Sequence, residues 1–166
     1  MNIFVLDTEP VLAAMWHCDK HVVKMPLETA QMLSTVNHRF GAPARYKPCH
    51  QKHPCTLWAG TTTGNYRWLW MLGIALCEEY TYRYGKTHAS EAVIQELVHF
   101  PPGLPEGDMT PFAQAMPDQY RHKDPVIAYQ QYYIHEKARI CKWQKRTVPH
   151  FMQTSLTSQP TEPLVL

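Results

Sequence analysis

Apolar positions along the chain recur mostly every three or four residues, and few stretches alternate with period two, which predicts a mainly α protein. A short apolar start, NIFVL at residues 2–6, precedes DTEPVLAAMW, where Asp7 or Thr8 can cap a helix over about 9–18 and Pro10 fits its first turn. From Asp19 to about Val36 a second helical pattern turns Val22, Met25, Met32, Leu33 and Val36 inward. Pro26 lies inside it and predicts a kink or a restart. Residues 41–55, GAPARYKPCHQKHPC, read as a loop, whereas residues 65–85 carry no proline, close on Gly85 and predict a long, mostly buried helix. SEAVIQELVHF predicts another helix, stopped by PPG. The proline-rich residues 101–125 are too long for a simple connector and predict an ordered functional loop. Asp124 and Pro125 then start a last helix through VIAYQQYYIHEKARICKW. The expected architecture is one compact helical domain with long proline-rich loops over residues 1–151, followed by a flexible tail at 152–166.

Composition narrows the setting. No apolar run approaches the roughly 18–20 residues of a bilayer span, and Asp7, Glu9 and Pro10 interrupt any secretory pattern at the start, so a soluble protein of the cytoplasm is expected. The five cysteines are odd in number and scattered, which points to reduced thiols and not to a disulfide framework. A formal charge of only +2 does not by itself announce a nucleic-acid binder, so the placement of the basic residues matters more than their sum.

Placement is informative on the helix from Asp19. Lys20, Lys24, Glu28 and Gln31 are spaced four, four and three apart and share one face, with His17 and His21 beside them. Three readings follow from these residues. The stripe can be a solvated face carrying a weak Lys24–Glu28 pair. His17 and His21, four apart, with Cys49, His50, His53 and Cys55 elsewhere, can be searched for a zinc set, but HExxH and paired CxxC spacings are missing and no metal is expected. Thirdly, an amine made nucleophilic by a neighbouring cation or by desolvation, Lys20 beside Lys24, can attack an electrophilic carbon, with Glu28 one turn on as acid or base. Near the C-terminus, EKARICKWQKR sets Lys137, Lys142, Lys145 and Arg146 around Trp143, a basic stripe with one aromatic that suits a phosphate backbone and a stacked base. A plain solvated helix end fits the same charges.

Taken together, DKHVVKMPLETAQML, HPCTLW and CEEYTYRYG resemble a family of small phage and bacterial proteins similar to pyrimidine-dimer DNA glycosylases of the endonuclease V type. The matching positions are Lys20, Lys24, Glu28 and Gln31, then His53, Pro54 and Trp58, then Cys77, Glu79, Tyr80, Arg83 and Gly85; AMPDQY, YYIHEK and the KWQKR run resemble a bacteriophage branch. The resemblance covers roughly residues 3–151. It implies a helical domain that binds double-stranded DNA, extrudes a damaged or modified pyrimidine nucleotide, and attacks the sugar C1′ with an amine to give a Schiff base, without a cofactor. A host-cell cytoplasm is the implied setting for a phage-encoded member. It further implies a pocket lined by His17, His21, Gln31, His53, Trp58, Asn65 and Tyr66. In that family the amine is the N-terminal one, exposed when the initiator methionine is removed. Here residue 2 is Asn, a side chain too large for efficient removal of the methionine, which leaves the Met1 amine, Lys20 or Lys24 as nucleophile, or no lyase chemistry at all. Lys24 is the favoured choice on sequence, with Lys20 as the neighbouring cation and Glu28 as acid/base. A DNA-modifying transferase using the same flipped-base pocket, and a DNA-binding protein without catalysis, are the competing readings.

Overall fold

The computed structural model describes residues 1–156, with side chains through residue 153, and the remainder of the expected tail lies outside the described residues. Among the described residues there are seven α-helices: α1 (Pro10–Trp16), α2 (Asp19–Arg39), α3 (Pro54–Ala59), α4 (Thr63–Tyr84), α5 (Glu91–Glu96), α6 (Pro125–Tyr132) and α7 (His150–Leu156). No β-strand occurs among the described residues. The expected all-α fold with long proline-rich loops is therefore the observed one. No helix among the described residues is long and apolar enough to cross a membrane.

The core forms where α2 and α4 lie against one another, with α1 on α4, α3 on α2, and α5 touching both long helices. Gly73 marks a close approach of α2 and α4, because a Cβ there would stand 2.7 Å from Cγ2 of Thr29. Asn37 of α2 adds a polar bolt. Its Nδ2 donates to the Tyr66 hydroxyl at 2.8 Å, and that hydroxyl donates to the Leu97 carbonyl at 2.9 Å, so α2, α4 and the end of α5 are tied through buried, satisfied groups.

Several ends are set as the residues dictate. Asp124 accepts from the N–H groups of Val126 and Ile127, and α4 stops at Gly85 in the left-handed conformation. At α1 the cap is Glu9, whose carboxylate accepts from Val11 and Leu12, in place of Asp7 or Thr8. The helix does not restart at the proline of α2: it runs unbroken through Pro26, which is buried. One missing N–H is tolerable where a long apolar face is anchored against α3 and α4 on both sides of it. Residues 101–124 are held down along the start of α4. The N–H groups of Thr63 and Gly64 donate to the carbonyls of Pro105 and Gly107 at 2.9 and 3.0 Å, so loop carbonyls satisfy donors that a helix start leaves open.

The apolar start is neither a strand nor a helix. Ile3, Phe4, Val5 and Leu6 are all buried, and the Phe4 ring stacks on His21 at 4.3 Å and meets Tyr129 and Tyr133 edge-on. Burying such side chains contributes about 1.5–3 kcal/mol each. The chain thus begins as a strap pinned inside the helical layer.

Candidate active site

The strap delivers the chain's first nitrogen to α2. Glu28 is buried, its side chain 9% exposed, and its carboxylate meets two amines. Lys24 Nζ lies 3.1 Å from Oε1, and the Met1 α-amine lies 3.5 Å from Oε2. The Asn2 N–H also donates to Oε2, at 3.0 Å. The two cations differ in surroundings: the Lys24 side chain is 64% exposed, whereas that of Met1 is 2% exposed. Since Met1 as a whole is only half-buried, the part of it that reaches solvent is main chain. The side chain is an anchor that holds the amine against Glu28.

Asn2 shapes this terminus. Its Nδ2 donates to the Ala115 carbonyl at 2.8 Å, and its Oδ1 accepts from the N–H groups of Ile3 and Phe4 at 2.7 and 3.1 Å. Phe4 has φ of 33°, a left-handed conformation that a non-glycine residue adopts at a cost of about 1–3 kcal/mol. The buried ring holds it there, and the turn aims the amine at Glu28.

His53 stands beside the same pair. It occupies the N-cap of α3, an element the loop-like sequence did not predict, and its Nδ1 accepts from the Cys55 N–H at 3.1 Å. Burial first, then the positive charges of the Met1 amine and His50, hold His53 below the ordinary histidine range, with Glu28 pulling the other way. An acceptor Nδ1 on a neutral ring leaves Nε2 with the proton, a donor ready for a ligand oxygen. Two open recesses flank the His53–Pro54 step. One, of about 550 Å³, is lined by Pro54, Phe112, Ala113, Gln114, Arg121, His122 and Lys123. The other, of about 710 Å³, is lined by residues 48–53, including His50 and Lys52. No acid pairs with Lys52 or Lys123 among the described residues, and Arg121 meets only the exposed Asp118, at 3.3 Å.

Gln31 is half-buried on the same stripe as Glu28. Lys20 is exposed one turn before Lys24 and makes no contact with Glu28. The other expected pocket residues have internal tasks. Tyr66 is fully buried in the bolt between α2 and α5. Asn65 donates to the Trp58 carbonyl and to Thr110 Oγ1, both at 2.8 Å, and accepts the Thr110 N–H, clamping the proline-rich loop. Trp58 is 6% exposed and packs on Trp68 and Phe112. His21 bonds the Tyr133 hydroxyl, and His17 bonds the Ala13 carbonyl at 2.6 Å with its Nε2 left without a partner. Burial takes the His17 pKa from 6.5 to about 3. These five residues help to hold the core together, and Tyr66 also lines a recess with Arg67, Trp70, Met71, Val98, His99 and Phe100. Among the described residues no group of three or more His, Cys, Asp or Glu is gathered for a metal ion.

The C-terminal basic run differs from expectation in its secondary structure. It is not the end of a helix, because α6 stops at Tyr132 and continues as a π-turn over Tyr133–Lys137 and a 3-10 turn over Ala138–Ile140. Arg146 is drawn inward: its Nε and Nη2 bond Oε1 and Oε2 of Glu79, each at 2.9 Å, and its guanidinium covers the Tyr82 ring at 4.1 Å. Trp143 donates to the Trp16 carbonyl at 3.0 Å, Lys145 Nζ to the Tyr82 carbonyl at 3.3 Å, and Lys137 sits over the Tyr132 ring at 4.8 Å. Of the expected DNA-binding set, Lys142 is left exposed with no side-chain partner.

Comparison with protein-family models, with curated proteins and with solved structures returns no match.

Proposed function

We propose that the protein is a DNA glycosylase-type enzyme acting on a damaged or modified pyrimidine extruded from double-stranded DNA, with the Met1 α-amine as nucleophile and Glu28 as its proton partner. The observation that carries this reading is the α-amine held 3.5 Å from a buried carboxylate by a strap enclosed in the core. The enclosed strap fixes the Met1 amine in place, whereas the Lys24 side chain is 64% exposed, which favours Met1 as the positioned attacking amine. Lys24 then serves as a fixed positive charge on the other carboxylate oxygen.

In this scheme the amine attacks C1′, the glycosidic bond breaks and the base leaves with a proton. The sugar opens to a Schiff base, from which loss of a C2′ proton and β-elimination cut the strand. Glu28 moves protons to and from the amine and steadies positive charge on the sugar, a role worth typically 10²–10⁴-fold. His53 Nε2 is placed to donate to the departing base or the ring oxygen. Lys52, Arg121 and Lys123, around the two recesses, are suited to phosphates on either side of the extruded nucleotide.

The test is incubation with a duplex containing a cyclobutane pyrimidine dimer, and with a panel of modified pyrimidines, in the presence of borohydride. The reading predicts a covalent protein–DNA adduct that is lost in Glu28→Gln and kept in Lys24→Ala. A mass gain on an intact base would replace it with group transfer. Salt-sensitive binding with no product on any duplex would reduce it to a binding protein.

A further inference from the structure

Cys18 and Cys141 lie outside the Glu28 site, and backbone contacts on both sides bring them together. Cys18 is fully buried at the N-cap of α2, and Cys141 follows the 3-10 turn and is half-buried. The Asp19 N–H donates to the Lys142 carbonyl at 2.8 Å, which brings the two segments carrying Cys18 and Cys141 into contact. The Gln144 N–H donates to both oxygens of the Asp19 carboxylate, at 2.9 and 3.1 Å, and fixes the register further. The two thiols stand close enough to act on each other electrostatically, and His21, from the next turn of α2, acts on Cys18 as well. The Cys18 N–H meets the Tyr133 hydroxyl at 3.4 Å, the same hydroxyl that His21 engages.

This environment separates the two sulfurs. The Cys141 thiol, above all, and His21 hold Cys18 toward the thiolate against the opposing effect of burial, down to about 4. The start of a long helix favours the same anion. The Cys18 sulfur and burial push Cys141 up, so the shared proton rests there.

We propose that Cys18 and Cys141 form a site of reversible oxidation, closed to a disulfide by hydrogen peroxide and reopened by a dithiol. Cys141, the sulfur with access to solvent, is the one the oxidant reaches. The shared proton passes to Cys18 as the Cys141 sulfur attacks one peroxide oxygen. The O–O bond breaks, Cys141 becomes a sulfenic acid, and the departing hydroxide takes the proton from Cys18 to leave as water. The Cys18 thiolate then attacks the Cys141 sulfur; the S–S bond forms, the S–O bond breaks, and the released hydroxide is protonated from solvent. Two thiols have lost two electrons and one peroxide has become two waters. The closed bond staples the start of α2 to the segment leading to α7. The chemistry is independent of the amine at Met1.

The experiment treats the full reduced chain with a modest excess of hydrogen peroxide and maps non-reduced peptides by mass spectrometry. The expected result is one linked pair, Cys18–Cys141, with two of the five free thiols lost after denaturation and restored by dithiothreitol. Thermal melting should rise on oxidation by roughly 5–10 °C, since the bond closes a very long loop, and Cys141→Ser should abolish the rise. Cys49→Ser should leave the linkage intact. Oxidation confined to Cys49, or sulfinic acid on Cys18 or Cys141 with no linked peptide, would overturn the proposal.

Discussion

Glu28 and Glu79 are both buried helical carboxylates, and each has a basic partner at i,i+4 spacing and a second cation from a distant part of the chain. At Glu79 both cations are guanidinium groups. Arg83 is fully buried, and its nitrogens are occupied by Glu79, by Asp19, and by the carbonyls of Met15 and His17, at 2.6 to 3.0 Å. At Glu28 both cations are amines, and one of them sits at a terminus that opens to solvent. A guanidinium keeps its proton throughout the working pH range and forms a rigid fork, whereas an amine can release its proton and become a nucleophile. The same pattern of charge therefore serves as a fixed staple in one place and, in the reaction we propose, as a reactive pair in the other.

The largest expected effect falls on the staple. Arg83→Ala leaves Glu79, Asp19 and two carbonyls without their buried partner and should lower the unfolding free energy by about 3–5 kcal/mol, read by urea denaturation. A loss under 1 kcal/mol would mean the cluster is not a staple. Glu28→Gln should do the opposite: stability within about 1 kcal/mol of the parent, and adduct formation with dimer-containing duplex down by roughly 10²–10³-fold. If both substitutions mainly unfold the protein, the contrast between the sites fails.

Acid sharpens the same contrast with a smaller effect near neutrality. Burial, the largest single influence, pushes Glu79 up, but hydrogen bonds and charges from Arg146 and Arg83 together outweigh it and hold the carboxyl below 4.5. A depressed carboxylate contributes stability that is present above its unfolded pKa and is lost as pH falls through the folded value. His17, neutral down to about 3 when folded, binds a proton in the unfolded chain below 6.5, so stability also falls as pH drops across that window. Urea midpoints should decline from pH 6.5 downward, and Glu79→Gln should flatten the part below pH 4.5. The smallest effects concern DNA. Lys52→Ala and Lys123→Ala should each reduce the salt dependence of duplex binding by about one counterion, while Lys145→Ala should leave it unchanged.

The helices were largely legible because their signals are local: the Asp124–Pro125 cap, the Gly85 stop and the three-to-four periodicity of α2 and α4. What was not legible depends on distant partners. α3 begins inside a stretch that reads as a loop because His53 and Pro54 cap it from within. The basic run near the C-terminus reads as a helical stripe, but Glu79, 67 residues away, draws Arg146 inward. At the site, Lys24 and Glu28 were visible as an i,i+4 pair, whereas the contact of the first residues with Glu28 spans 26 positions and leaves no mark in the periodicity. The buried, non-periodic NIFVL start was the available clue: an apolar segment too short to be an element has to be enclosed by others. Asn65 and Tyr66 looked like pocket groups because polar atoms on a buried helix need partners, and those partners proved to be the protein's own backbone and loop.

The most direct measurement is the attachment point of the sugar in the borohydride-trapped adduct, found by digesting protein and DNA and sequencing the modified peptide by mass spectrometry. The account predicts the reduced sugar on the α-nitrogen of Met1. A sugar carried by the side chain of Lys24 or Lys20 would contradict it.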